Sequence, residues 1–249
     1  MSDNYANDLP HIGGNTFYHN DIFGSSFIVR LIEANLGERV LEVGSGNGHI
    51  TEQLADRVGS VVALEPNPVL FQELCNRVSE LPNVLTHNMT IQAFQRQLSL
   101  SASSDKVLQF DSVVYVNVLE HIYDDESELA SARSLLKRDG SVLIVVPAHS
   151  WLYSEVDRIT GHFRRYSKKK LRSVITRSGL LPVSLRYFDT VGLLPYYFIY
   201  KLLGATSTSG PNAFIYSRVL LPLSFTVYKL SFGLIVGKNL VARAVNSNA

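Results

Sequence analysis

The sequence predicts an α/β protein built on an open, doubly wound sheet of mostly parallel strands. Short apolar runs rich in β-branched residues alternate along the chain with helix-length segments, as strands joined by crossover helices do. These runs are apolar on both faces, which indicates a sheet covered by helices on both sides. Hydrophobic residues make up 46% and charged residues 18% of the 249 residues, so the chain can fold as one large domain, with or without an appendage.

Seven apolar runs are strand candidates, and helical patterns lie between them. The predicted strands span residues 39–44, 60–65, 83–88, 110–117, 140–148, 181–188 and 238–245. Apolar periodicity predicts helices at 49–57, 67–80, 91–100, 125–137 and 167–178, and an amphipathic segment at 21–36 precedes the first strand. The helix at 125–137 begins with acids and ends with bases, so both of its ends suit the helix dipole. A ligand of such a fold is expected at the carboxyl ends of the strands.

Four segments are predicted from composition and pattern. They are a helical cap at 1–36, a core at 37–189, an apolar and basic helical lid at 190–236, and the last core strand with a tail at 237–249. The lid contains recurring proline, tyrosine and phenylalanine, and it contains no acidic residue. Pro222 is expected to break or kink the second half of the lid, because proline cannot donate a helical hydrogen bond.

Charge is divided unevenly along the chain. Residues 1–157 carry 21 acids and 9 bases, a net charge of −12, whereas residues 158–249 carry 1 acid and 14 bases, a net charge of +13. This asymmetry indicates an anionic partner for the second half, such as a lipid headgroup, a phosphorylated substrate or nucleic acid. The alternative is that the two sets of charges face each other across the fold.

A single cysteine, Cys75, excludes an intrachain disulfide and a thiolate metal cluster. This usage suits a reducing compartment. The polar N-terminus lacks the charged-then-apolar order of a secretory signal, and no apolar run is long enough to span a bilayer. We therefore expect a cytoplasmic protein, with association at a membrane surface as an open alternative.

The densest motif is a set of three glycines, Gly44, Gly46 and Gly48, between the first strand and the next helix. Glycines crowded there indicate that a ligand lies close to the backbone. The dinucleotide spacing G-x-G-x-x-G fails because His49 stands where its third glycine belongs. A phosphate-binding P-loop fails as well, since no Gly-Lys-Ser/Thr follows the glycines.

The spacing E-x-G-x-G-x-G, from Glu42 to Gly48, resembles the first motif of class I S-adenosylmethionine-dependent methyltransferases. The segments FDSVVYVNVLEHI (110–122) and LLKRDGSVLIVVP (135–147) are similar to later motifs of the same family. This resemblance implies a Rossmann-like sheet of seven strands with an antiparallel last strand, and S-adenosyl-L-methionine as the cofactor. The segment 148–171, which contains W-L-Y, D and G-H-F-R-R-Y, resembles a bacterial subgroup that is often of unassigned substrate.

The resemblance also implies a set of cofactor contacts. Glu42 would hold the methionine ammonium, and Glu65 would accept hydrogen bonds from two ribose hydroxyls through two free carboxylate oxygens. Asn88 stands where the family often has an acid, and it would bond the adenine amino group. The predicted cofactor-binding residues are Glu42, Gly44, Ser45, Gly46, Gly48, Glu65, Pro66, Asn67, Asn88, Met89 and Asn117.

Methyl transfer to a hydroxyl needs alignment of the acceptor, exclusion of water and removal of a proton. We predict that His162 is a general base or a substrate-orienting group, with Asp157 or Tyr166 fixing its tautomer. The alternative is that His162 and Arg165 pin the loop onto the core, and His121 is interpreted mainly as structural or adjacent to the cofactor. The predicted catalytic residues are His162, His121, Tyr166 and Asp157, the predicted substrate contacts are His149, Trp151, Tyr153 and Arg165, and no metal ligand set is expected.

The predicted activity is methylation of a hydrophobic or lipid-like small molecule, with oxygen favoured over nitrogen or carbon because two candidate bases are present. The lid would bind an anionic membrane surface, cover the substrate pocket or lie in a homodimer interface. A nucleic-acid partner is not favoured, because NVLEH stands where nitrogen-methylating enzymes carry NPPY or DPPY. An RNA or protein methyltransferase is still the alternative, and a non-catalytic scaffold that binds a membrane or a partner is a second one.

Overall fold

The computed structural model describes residues 22–101, 109–206 and 214–246. Seven strands form one sheet in the order β3-β2-β1-β4-β5-β7-β6. The strands β1 to β5 pair in parallel, while β7 runs antiparallel to both β5 and β6. The predicted doubly wound sheet with an antiparallel last strand is therefore confirmed. The strands are β1 Arg39–Val43, β2 Ser60–Leu64, β3 Val84–His87, β4 Phe110–Val116, β5 Leu136–Pro147, β6 Leu181–Phe188 and β7 Asn239–Val245.

The five helices that apolar periodicity predicts are present, with ends within two residues of the predicted ones, whereas α6 lies in a segment for which no helix was predicted. The helices are α1 Ile22–Ile32, α2 His49–Ala55, α3 Pro68–Val78, α4 Ile91–Ser101, α5 Asp125–Leu135, α6 Glu155–Ile159, α7 Lys168–Arg177, α8 Leu193–Tyr196 and α9 Leu221–Ser231. The prediction that α5 extends to residue 137 is wrong, because Leu136 is already extended and pairs with Phe110. Lys137 therefore belongs to β5, where its ammonium lies 2.6 Å from Asp111 Oδ1.

Both faces of the sheet are covered, as the apolar strands require. Along β4, Val113 and Tyr115 point into one core, whereas Val114 and Val116 point into the other. The first core is completed by α4, α5 and α7, and the second by α1, α2 and α9. The helix layers leave the carboxyl edge of the strands as the place where loops gather.

The lid consists of two helical segments on either side of residues that the structure does not describe. In the first, α8 continues into a π-helical turn at Tyr197–Leu202, and in the second a π-helical turn at Tyr216–Leu220 runs into α9. Pro222 lies two residues after the π-helical turn, and the helix continues through it to Ser231. The predicted break is therefore wrong, and the proline instead marks the change from π-helix to α-helix.

The second half of the lid is part of the fold and not a separate flap. Phe225 of α9 packs edge-on against Phe27 of α1, with ring centroids 5.4 Å apart. The predicted cap helix α1 lies beneath it, although residues 1–21 of the predicted cap lie outside the described residues. Within the described ranges, no helix combines the length and the apolar character needed to cross a bilayer.

The two sets of charges partly face each other, as one alternative predicts. Arg164 lies 2.8 Å from Asp125, and Arg177 lies 2.5 Å from Glu126 at the start of α5. Intramolecular pairing therefore accounts for part of the charge division. Lys168 begins α7, one residue after the predicted start, and its ammonium lies 4.2 Å from the centroid of the Tyr187 ring in β6.

Candidate active site

The glycine loop after β1 is hydrogen-bonded to β2 and packs against the side chains of Val118 and Leu74. The N–H of Gly44 donates to the carbonyl of Leu64 at 2.8 Å. Gly44 has a φ of +69°, and a Cβ there would lie 2.6 Å from a methyl carbon of Val118. Gly48 has a φ of +86°, and a Cβ there would lie 2.8 Å from Leu74. Glycine is thus required at both positions by conformation and by space.

Glu42 is a buried carboxylate at the end of β1. Thr51 donates to its Oε2 at 2.5 Å, and the Ser45 hydroxyl lies 3.5 Å from its backbone carbonyl. Burial raises the pKa of Glu42 to about 7, although the hydrogen bonds from Thr51 and Ser45 oppose the change. A nearby cation stabilises the ionised form of such a group. The ammonium and sulfonium of S-adenosylmethionine fit this requirement.

Glu65 stands at the end of β2 and holds two loops together. Its Oε2 accepts from the N–H of Gly46 at 2.8 Å, and its Oε1 accepts from the N–H of Asn67 at 2.8 Å. The expectation that both oxygens are free is therefore wrong. Each oxygen keeps a second lone pair, so the carboxylate can accept a diol as well. Burial raises the pKa of Glu65, and the two amide bonds counteract this rise.

The remaining predicted cofactor residues frame the same edge of the sheet. Asn67 caps α3, with its Oδ1 accepting from backbone amides at 2.9 and 3.2 Å. The side-chain amide of Asn88 donates to the carbonyls of Glu65 and Pro66 at 2.8 and 3.1 Å. This orientation leaves Oδ1 of Asn88 as an acceptor, which is the polarity that an adenine amino group requires. Met89 follows and is partly buried against the core.

Three strand ends turn sharply at this edge. Asn117 after β4, His149 after β5 and Asp189 after β6 have φ values of +52°, +63° and +63°. Left-handed backbone is uncommon outside glycine and is concentrated where function requires a particular direction of the chain. The N–H of Asn117 donates to Val145 at 2.8 Å, so this turn is held by the neighbouring strand.

The segment after β5 brings His162 over the end of β4. The N–H of Phe163 donates to the carbonyl of Glu120 at 2.8 Å, which fixes the loop there. Nδ1 of His162 lies 2.7 Å from Oδ1 of Asp157, and the rings of His162 and His121 are 4.6 Å apart, edge to face. With Nδ1–H donating to the carboxylate, Nε2 is the acceptor nitrogen.

Asp157 is fully buried, and both of its carboxylate oxygens accept hydrogen bonds. Its Oδ1 also accepts from Nε of Arg165 at 2.8 Å. Its Oδ2 accepts from the N–H of Ser154 at 2.8 Å and from the Tyr196 hydroxyl at 3.2 Å. Burial alone would raise the pKa of Asp157, but the hydrogen bond from His162 and the guanidinium of Arg165 hold it well below its usual range. Asp157 is therefore an anion that orients His162.

Tyr166 is placed differently from its predicted role. Its hydroxyl donates to Oδ2 of Asp125 at 2.7 Å and to the carbonyl of Leu119 at 3.1 Å, and the side chain is fully buried. Burial and the Asp125 carboxylate raise the pKa of Tyr166 far above its ordinary value. Of the two residues predicted to fix the tautomer of His162, only Asp157 contacts it.

Of the four predicted substrate contacts, three have side chains that already bond to other parts of the protein, and one is exposed. Nε2–H of His149 donates to a backbone carbonyl at 3.1 Å, and the Tyr153 hydroxyl donates to the carbonyl of His162 at 2.7 Å. Arg165 is buried against Asp157, as the alternative of a structural pin predicts. Trp151 is 53% exposed and lies edge-on against Tyr197 of the lid.

Glu120 is absent from the predicted residues, yet it forms a cluster with His121 and His162. Its side chain is fully buried, and within the described residues neither carboxylate oxygen has a hydrogen-bond partner. Burial raises the pKa of Glu120 to about 7, while the nearby His162 and Arg165 oppose the rise. The signal in the sequence is the acid directly before His121 in NVLEH.

Comparison with known proteins agrees with this geometry. The sequence model described as a methyltransferase domain matches residues 20–185. The chain is 28% identical over 119 residues to a ubiquinone biosynthesis O-methyltransferase of Pasteurella multocida, covering 47% of this chain and 49% of that protein. It is 36% identical over 77 residues to a probable ribosomal RNA small subunit methyltransferase A of Methanosarcina barkeri, covering 30% of this chain and 27% of that protein. The matched part thus spans about half, or less, of these relatives.

Solved structures show the same fold at low identity. A putative methyltransferase from Bacillus halodurans superposes with a TM-score of 0.60 at 18% identity, covering 90% of this chain and all of that one (100%). The N-methyltransferase NodS of Bradyrhizobium japonicum, in complex with S-adenosyl-L-homocysteine, superposes with a TM-score of 0.54 at 16% identity, covering 98% and 94%. With the family match over residues 20–185 and the buried acids at the ends of β1 and β2, the chain belongs to the methyltransferase domain family and is an S-adenosylmethionine-dependent methyltransferase domain.

Proposed function

We propose that this protein methylates a hydroxyl group on a hydrophobic or lipid-like small molecule. The observation that carries the proposal is Tyr196, a lid residue whose hydroxyl lies 3.2 Å from Asp157 and also bonds to Arg165. The lid is therefore joined directly to the carboxylate that orients His162. An acceptor bound at His162 would lie beside the lid.

The outer surface of the lid supports an apolar acceptor. Leu194 is 64% exposed and Leu203 is 78% exposed, and several other large apolar side chains are exposed with them. Exposed apolar patches of this kind commonly mark binding surfaces. Basic residues and no acids accompany them in 190–236, which also favours an anionic membrane surface as the place where the acceptor is met. The exposed set is Leu194, Phe198, Leu202, Leu203, Phe214, Ile215, Val219, Leu223, Leu230, Phe232, Leu234, Ile235 and Val236.

The choice of oxygen as acceptor rests on two supports. Several relatives are named ubiquinone biosynthesis O-methyltransferases, including the protein of Bos taurus, which is 26% identical over 171 residues. His162 is also a base with a defined tautomer, and a hydroxyl acceptor must lose a proton. These supports favour an oxygen acceptor over a nitrogen acceptor.

The residues divide the work of the reaction. S-Adenosylmethionine supplies, when bound, a methyl group on a positively charged sulfur. Glu42 holds the ammonium of the cofactor, and Glu65 holds its ribose diol. His162 orients the acceptor hydroxyl or takes its proton through Nε2, while Asp157 keeps Nδ1 protonated. The lid, packed beside the acceptor, would exclude water and help to align the reacting atoms.

A ribosomal RNA methyltransferase is the second candidate, because the match at 36% identity is to such a protein. That match covers 30% of the chain, and the lid is apolar where an RNA footprint would be basic. RNA binding with a steep dependence on salt concentration would favour this candidate.

The test is a methyl-transfer assay with two acceptors that share one hydroxylated ring, only one of which carries a long alkyl chain. We expect kcat/KM to be higher for the alkylated acceptor, and we expect His162→Ala to lower kcat by about 100-fold or more. His87→Ala is the matched control, because His87 packs on Phe94 away from the cluster. Equal rates for both acceptors, or methylation of RNA alone, would contradict the proposal.

A further inference from the structure

We propose that Glu120, His121 and His162 form a binding site for a divalent transition-metal ion of the Zn²⁺ or Fe²⁺ type. One ligand atom from each side chain lies within 4.8 Å of the other two. Bonds of about 2.1 Å would bring such atoms to roughly 3.4 Å from one another around a tetrahedral ion. Small rotations of the three side chains are therefore enough to close the site.

The buried acceptors of this cluster carry the inference. Both carboxylate oxygens of Glu120 and Nε2 of His162 are buried and have no hydrogen-bond partner in the described part of the chain. Glu120 has no exposed surface, and the side chain of His162 is 7% exposed. Two unpartnered acceptors in one buried cluster need a cation or a proton to satisfy them. A metal ion bound by both satisfies each of them.

The surroundings orient these side chains as they do in known metal sites. Histidine ligands of metals commonly donate their second ring N–H to a carboxylate, and His162 does so to Asp157 at 2.7 Å. Asp157 is held in turn by Arg165 at 2.8 Å. The bond of 2.8 Å from the N–H of Phe163 to the carbonyl of Glu120 fixes the distance between the two ligand segments.

The types of ligand atom indicate which metal ion the site would bind. Two imidazoles and one carboxylate suit Zn²⁺ or non-haem Fe²⁺, whereas Mg²⁺ prefers oxygen ligands and retains its water. Three protein ligands leave a coordination position open, as in catalytic sites. His121 is half-buried, so the open position can be reached from solvent.

The role of the metal rests on the proposed function and refines it. The acceptor oxygen would take the open position, and the ion would favour loss of the hydroxyl proton to water. The oxygen–carbon bond then forms as the sulfur–carbon bond of the cofactor breaks. His162 would act in this case as a metal ligand and not as the base. Binding of the ion would overturn the expectation that the chain carries no metal ligand set.

The experiment is calorimetric titration of the full chain, stripped with a chelator, with Zn²⁺, Co²⁺ and Mg²⁺. We expect one Zn²⁺ to bind per chain, Co²⁺ to give the visible absorption of a nitrogen- and oxygen-ligated ion, and Mg²⁺ to bind much more weakly. Glu120→Gln and His162→Ala should each weaken Zn²⁺ binding by about 100-fold or more, and Asp157→Asn by about 10- to 100-fold. His87→Ala and Glu126→Gln are the matched controls and should retain binding.

The outcomes separate this inference from the proposed function. Titration with S-adenosylhomocysteine in the chelated protein tests the cofactor site without the metal, and a thermal melt of each variant checks that it is folded. Absence of Zn²⁺ and Co²⁺ binding in folded wild type would overturn the inference. A proton shared by Glu120 and His162 would then be the explanation of their unpartnered acceptor atoms. Binding that survives in both Glu120→Gln and His162→Ala would overturn it too, since the ion would then lie elsewhere.

Discussion

Replacement of Glu42 by glutamine tests whether this buried acid is built for a cationic ligand. In the folded chain, burial raises its pKa from the ordinary 4.5 to about 7. The folded state therefore holds this proton to higher pH than the unfolded chain does, so the free energy of unfolding falls as pH rises from about 4.5 to about 7. The difference between the two pKa values corresponds to about 3 kcal/mol. The neutral amide of the Glu42→Gln variant has no such proton to lose, so the variant should escape this loss.

We therefore expect Glu42→Gln, without ligand, to be more stable than wild type by up to about 3 kcal/mol at about pH 8, and this gain should shrink towards about pH 5. The measurement is urea unfolding of both proteins at the two pH values. Affinity for S-adenosylhomocysteine should fall by about 10- to 100-fold at the higher pH, because the ammonium loses its charged acceptor. Calorimetric titration checks this loss.

The control for this prediction is Glu73→Gln, because Glu73 lies exposed on α3. It should change neither the unfolding free energy nor the affinity at either pH. An equal stability difference between Glu42→Gln and wild type at both pH values would refute the linkage argument. A variant that is stabilised at high pH but binds S-adenosylhomocysteine normally would show that the cation at Glu42 is not the cofactor ammonium.

Three further perturbations test other parts of the site. Gly44→Ala should lower the free energy of unfolding by about 1–3 kcal/mol, because the φ of +69° and the contact of 2.6 Å with Val118 both oppose a Cβ. A melting temperature equal to that of wild type would contradict this account. Tyr166→Phe should lower the free energy of unfolding, measured in urea, by about 1–3 kcal/mol, because it removes the donor to Asp125. A large loss of kcat in a fully folded variant would instead indicate a catalytic role for Tyr166. The double variant Phe198→Ser and Leu203→Ser should lose cosedimentation with anionic vesicles relative to wild type, and unchanged cosedimentation would exclude the lid as a membrane contact.

The sequence by itself determined the order of the strands along the chain, most helix boundaries and the glycine loop. Apolar alternation and periodicity are properties of neighbouring residues, so β4 and α7 can be recognised locally. The need for glycine at Gly44 and Gly48 is likewise visible because few other residues adopt such a backbone. The acids at the strand ends, Glu42 and Glu65, follow from the same local pattern.

The tertiary structure decided how these residues are used. It ended α5 at Leu135, because pairing of Leu136 with Phe110 competes with the last helical turn. It also supplied both oxygens of Glu65 with backbone donors. Neither outcome is visible in the chain, since each depends on a strand pairing or a loop contact made far away in sequence.

The cluster at His162 is the strongest example of this division. Asp157 is close in sequence and was predicted as its partner, but Glu120 lies 42 residues earlier and Tyr196 lies 34 residues later. They meet because parallel strands bring their carboxyl ends to one edge and the lid folds back over that edge. The sequence shows the acid before His121, but the burial that leaves Glu120 without a donor among the described residues arises only when these distant segments pack together.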